Sequence, residues 1–160
     1  MEGTSDRELL RHTLATLAYR GGKAVRDVPP AFPSFSAGPA TRTPAQILAH
    51  IGDLMEWGLS IARGEERWHD ATPLGWEAEA ARFFAALEAF DRYLAEGGPL
   101  AVPTAKLFQG PVADALTHVG QIALLRRLAG GAVRGENYFK AEVAVGRVGA
   151  EQAAPRREFD

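Results

Sequence analysis

The sequence contains no cysteine. That absence excludes disulfides, zinc–thiolate sites and a cysteine nucleophile within this polypeptide, so any metal is left to His, Asp, Glu or water. No run approaches the ~18 apolar residues of a membrane span. Met1-Glu2-Gly3-Thr4 lacks the basic n-region and apolar core of a secretory signal. A cytoplasmic protein with no membrane partner is the expectation. A basic excess is also missing: 18 Lys and Arg stand against 20 Asp and Glu, for a formal net charge of -2. Nucleic-acid binders normally carry a clustered Lys/Arg face, so no nucleic-acid partner is expected. Arg126, Arg127, Arg134, Arg147, Arg156 and Arg157 enrich the C-terminal third in positive charge. Glu136, Glu142, Glu151 and Glu158 interleave with them, and the set reads as a solvated surface.

What is present points to helices. A chain of 160 residues matches one compact domain with one core. Its 46% hydrophobic and 24% charged residues exclude wholesale disorder. Leu9, Leu10, Thr13, Leu14, Leu17, Ala18, Gly21 and Val25 recur at three- and four-residue steps, the pattern of one buried helix face. Ser5 or Asp6 is its expected cap, Gly21-Gly22 predicts a kink or a close helix contact, and Val28-Pro29-Pro30 ends it. A long loop follows, with Phe32 and Phe35 to anchor it. Thr43-Pro44-Ala45-Gln46 predicts a helix start with a capping box, and that helix runs to about Arg63 before Gly64. A third helix starts near Thr72-Pro73 and carries Trp76, Ala80, Phe83, Phe84, Leu87, Phe90 and Leu94 on one stripe. A fourth starts between Thr104 and Pro111 and runs through Leu128 to Gly130-Gly131. Four such helices without strand-like alternation predict an all-α, antiparallel four-helix bundle over about residues 5–131, with an irregular tail over 132–160. Tyr138, Phe139, Val143 and Val145 are candidates to tie part of that tail down, and residues 152–160 are expected to be a loose end.

Candidate chemistry lies on the second and fourth helices. Asp114 and His118 are four residues apart, which stacks two donors on one helix face, and His50 sits in the apolar run Ile47-Leu48-Ala49-His50-Ile51-Gly52-Asp53-Leu54. Bundles build metal sites from such facing side chains, and two imidazoles with one carboxylate leave coordination positions open. Each residue also has a structural reading. Either histidine fits a hydrogen-bonded core residue. If Pro111 opens the fourth helix, Asp114 lies in its first turn, where the helix dipole alone favours a carboxylate. Gln121 fits a group that orients a ligand, or one that faces a neighbouring backbone. Trp57 fits the core stripe and a pocket wall. Trp68 fits packing on the bundle end ahead of lining a pocket, while His12 reads as a structural or surface residue and His69 as a surface histidine. Gly135-Glu136-Asn137-Tyr138-Phe139 is a candidate lid over the site.

Residues 5–131, with His50 in Leu48-Ala49-His50-Ile51-Gly52-Asp53-Leu54, the run Thr117-His118-Val119-Gly120-Gln121-Ile122 and the following Leu125-Arg126-Arg127-Leu128, resemble the DinB-like superfamily, metal-binding four-helix bundles that include YfiT-like proteins. The resemblance implies that His50 and His118 are ligands of a divalent ion (Zn, Ni, Mn or Fe), with Asp114 in the place of the family's remaining histidine. A carboxylate there shifts the preference toward harder ions. Some relatives are thiol-dependent S-transferases or isomerases, which implies a small-molecule thiol or electrophile as partner. The alternatives are a non-catalytic metal- or ligand-binding module and a stress-associated structural homodimer.

Overall fold

The computed structural model describes residues 4–160; Met1 to Gly3, on which the secretory-signal reading partly rests, lie outside them. Helix α1 spans Thr4–Val25, α2 Pro44–Ala62 and α3 Trp76–Ala95. A fourth helical column is made of α4 (Thr104–Leu107), a π-turn (Phe108–Val112) and α5 (Ala113–Leu128) without interruption. α3 packs on α1 and α2, and α5 packs on α2 and α1, which closes a ring of four long helices around one core. Leu14, Leu17, Leu48, Ile51, Phe83, Leu87, Phe90 and Ile122 fill that core. Among the described residues the fold is all-α apart from the two-residue strands β1 (Gly135–Glu136) and β2 (Glu158–Phe159), which pair antiparallel. No helix among the described residues is long and apolar enough to cross a membrane.

The start of α2 is as its local sequence dictates. Thr43 Oγ1 accepts from the Gln46 backbone N–H at 3.3 Å and Gln46 Oε1 accepts from the Thr43 N–H at 2.9 Å, the reciprocal capping box. Other boundaries move. α1 already includes Ser5 and Asp6, so neither caps it. α3 begins at Trp76 rather than near Thr72-Pro73, because side-chain carboxylates take the loop's backbone donors. The Leu74 N–H donates to Glu79 Oε1 and the Ala71 N–H to Asp53 Oδ2, both at 3.0 Å. Gly21 is a close contact and not a kink: a Cβ there would stand 2.8 Å from Phe83 Cζ.

Tertiary contacts correct two further expectations and decide where Pro111 lies in a fourth helix that starts at Thr104. Arg126 is not solvated surface; it is 7% exposed. Its Nη1 donates to the carbonyls of Ala24 at 3.0 Å and Arg26 at 2.7 Å, and Trp76 Nε1 donates to Val25 O at 3.0 Å. These donors satisfy carbonyls that the end of α1 leaves without intrahelical partners. Pro111 does not open the fourth helix but lies inside it, in the π-turn, whose wider ring tolerates a residue that lacks an N–H. Seven residues before Ala115, Phe108 would share its buried face in an unbroken α-helix. The extra residue of the π-turn instead buries Leu107 and turns Phe108 outward. The C-terminal end is not loose. Glu158 accepts from Lys23 Nζ at 3.0 Å, Glu136 accepts from the same Nζ at 2.7 Å and from the Tyr19 hydroxyl, and Val148 enters the core. Tyr138 packs edge-on against Tyr19 and Val143 packs on the core, whereas Phe139 is 89% exposed and Val145 is exposed.

Candidate metal centre

The contact between α2 and α5 brings the three foreseen donors together. His50 Nε2 lies 3.7 Å from Asp114 Oδ2, His118 Nε2 lies 3.4 Å from Asp114 Oδ1, and one ligand atom from each residue falls within 4.8 Å of the others. The imidazole planes stand 88° apart with centroids at 4.7 Å. Both rings are partly buried, while the Asp114 side chain is 48% exposed, so the cluster is walled on the helix side and open to solvent on the other.

These separations are too long for good hydrogen bonds, which for N–H···O run about 2.7–3.2 Å. They suit donors around a shared ion. Two ligands each about 2.0–2.1 Å from a tetrahedral ion stand about 3.3–3.4 Å apart. The protonation state fits as well. Burial, followed by the positive fields of His118 and Arg42, holds His50 below its ordinary pKa against the opposing pull of Asp114 and Asp53. His50 is therefore a neutral lone-pair donor at neutral pH. His118 Nδ1 lies 2.7 Å from Gln121 Oε1. The tautomer that donates there leaves the Nε2 lone pair facing Asp114, the orienting contact common beside metal-bound imidazoles. The helix-dipole reading of Asp114 loses its basis, because α4 and the π-turn continue the helix upstream of it.

A wall of aromatic residues borders the trio. Trp68 is not packed on the bundle end. Its ring meets His50 at 5.6 Å and Trp57 at 5.6 Å, both edge-on, and it stays 44% exposed. Trp57 lines a cavity of about 290 Å³ with Asp53, Glu56, Ser60, Arg67 and His69, and its indole N–H donates to Glu66. His50 lines another, of about 210 Å³, with Arg42, Gln46 and Asp70.

A second group, Asp53, Glu56 and His69, also has its ligand atoms within 4.8 Å of one another, with His69 on the surface as expected. Its carboxylates are already neutralised: Arg82 Nη1 lies 3.0 Å from Asp53 Oδ1 and 3.2 Å from Glu56 Oε1. A cation there would have to displace a guanidinium, and the first trio is the better candidate. His12 is exposed and lines a separate cavity with Thr16, Tyr19 and Tyr138. The segment from Gly135 to Phe139 does not act as a lid, since Glu136 and Tyr138 make their contacts with Tyr19, Arg20 and Lys23 of α1.

Sequence reasoning missed Arg82. Its Nε donates to Glu79 Oε2 at 2.9 Å and its Nη2 donates to Ala49 O, and its guanidinium lies where a Cβ on Gly52 would be, 2.8 Å from Cζ. The glycine three residues after an alanine on the buried face was the one local signal of that close approach. No family model, curated protein or solved structure matches the chain.

Proposed function

We propose that this chain is a divalent-metal-binding, DinB-like antiparallel four-helix bundle in which His50, Asp114 and His118 hold the ion. The observation that carries the reading is their spacing: three N/O donors from two helices, too far apart to satisfy one another and at the separations of ligands on a common centre. Zn, Ni, Mn and Fe are the candidate ions, with the carboxylate favouring harder members of that set. Such an ion supplies Lewis acidity, lowering the pKa of a coordinated water or thiol to give a nucleophile at neutral pH. The protein's own part is to keep His50 neutral through burial, to fix the His118 ring through Gln121, and to shield one side of the site with Trp57 and Trp68.

Metal-dependent transfer of a small thiol to an electrophile is the activity favoured by the DinB-like resemblance. A binding module without turnover shares the same site, and thiol consumption in the presence of an electrophile separates the two.

Elemental analysis tests the metal itself, on protein purified without chelator and then reloaded with each candidate ion, beside a His50→Ala/His118→Ala variant. Near-stoichiometric metal in the parent and none in a folded variant is the expected result. Absence of metal under every loading condition overturns the proposal and leaves a structural bundle.

A further inference from the structure

The loop between α2 and α3 is fixed at several points, and what it holds in place is an exposed tryptophan. On one side of Trp68 the Arg67 backbone N–H donates to Ser60 Oγ at 3.0 Å. On the other, the Ala71 N–H donates to Asp53 Oδ2 and the Leu74 N–H to Glu79 Oε1, each at 3.0 Å. Arg82 pins both of those carboxylates. Residues 63–70 are otherwise all exposed. The large apolar side chain of this stretch is Trp68, which packs on His50 and Trp57 yet stays 44% exposed, and the three backbone tethers hold it in that half-covered position. The tethers make sense if the indole's position is the product. Trp68 meets His50 and Trp57 through edge-to-face contacts, and the exposed part of the indole stays open to another group beside the trio.

We propose that Trp68 is a specificity-determining residue, a fixed platform on which a flat, π-bearing part of the ligand stacks while another part of the same ligand reaches the ion held by His50, Asp114 and His118. The inference rests on the metal reading above. The chemical class it selects is a planar aromatic or conjugated compound carrying a metal-binding oxygen, nitrogen or sulfur donor, in preference to a saturated compound of the same size. Trp68 takes part in no bond making; it discriminates by the stacking that a saturated ring cannot supply.

Two probes with the same chelating group isolate that term: benzohydroxamate and cyclohexanecarbohydroxamate. They are titrated calorimetrically against metal-loaded full-length protein, against Trp68→Phe and against Trp68→Leu, with metal content measured in every sample. The aromatic probe should bind about fivefold tighter than the saturated one to the parent protein and to Trp68→Phe, and the preference should vanish in Trp68→Leu while metal content is unchanged. Equal affinity for the two probes on metal-loaded parent, or a preference that survives in Trp68→Leu, overturns the platform and leaves the metal site standing. Parent protein that takes up no metal overturns the metal reading and, with it, this inference. Loss of metal from Trp68→Leu with retention in Trp68→Phe assigns the residue to supporting His50 and overturns its role as a ligand platform.

Discussion

Two polar clusters of the bundle differ in how completely they are satisfied. Around Lys23, one ammonium, two carboxylates and a phenol close on one another, and Glu136 is buried without exposed side chain. Around His50, Asp114 and His118 the donors face one another without bonding, and the carboxylate is half open to water. A buried ion pair with every partner in place holds the fold together and has little left to offer a ligand. A set of lone pairs that converge without mutual hydrogen bonds carries the opposite signature. The Arg82 network belongs with the first kind, which is why the acidic group beside it is the poorer metal site although its donors converge equally well.

Arg82→Met is the sharpest way to break that contrast, because it strands Asp53 and Glu79 in the interior. Denaturant unfolding should show a loss of about 3–5 kcal/mol. A loss below about 1 kcal/mol would mean that water or another cation takes the guanidinium's place and that the network is not structural. Glu136→Gln comes next. It removes the charge from a buried acceptor of two hydrogen bonds, and the same unfolding measurement should report about 1–3 kcal/mol. Asp114→Asn in metal-free protein should change stability by less than about 1 kcal/mol, since its contacts are long and exposed. A large loss there would make the trio a structural cluster after all.

The smallest effect is one of pH on the C-terminal strap. The hydrogen bond from Lys23, followed by its charge and that of Arg134, holds Glu158 below its ordinary value of 4.5. A depressed carboxylate contributes stability that is complete above its unfolded value and is lost as pH falls through the folded one. Protection factors of the β1–β2 amides, with exchange corrected for the intrinsic pH dependence of the rate, should therefore be unchanged from neutrality down to about pH 5 and should fall below the ordinary carboxylate range. Glu158→Gln should remove that pH dependence. Loss of protection already between pH 7 and 6 would point instead to a histidine.

Sequence by itself determined the features whose causes are local. The capping box of Thr43 and Gln46 closes within one turn, the apolar stripes follow the helical period, and the i,i+4 spacing of Asp114 and His118 puts both on one face whatever surrounds them. The pairing of His50 with that face followed from residue type and resemblance, and the α2–α5 contact realises it.

Tertiary structure decided everything whose partners lie far along the chain. Arg126 is a surface residue by composition and a buried cap by position, because the carbonyls it bonds lie about a hundred residues upstream. Pro111 carries the signature of a helix start, yet packing against Gly58, where a Cβ would stand 3.2 Å from the proline ring, places it inside the helix and requires the π-turn. The loop that carries Trp68 is held by carboxylates of α2 and α3, and the C-terminal segment by the Lys23 ammonium and Tyr19 hydroxyl of α1. Periodicity reports which face of a helix is apolar; it carries no information on which distant polar group will meet it, because that contact exists only once the helices have packed.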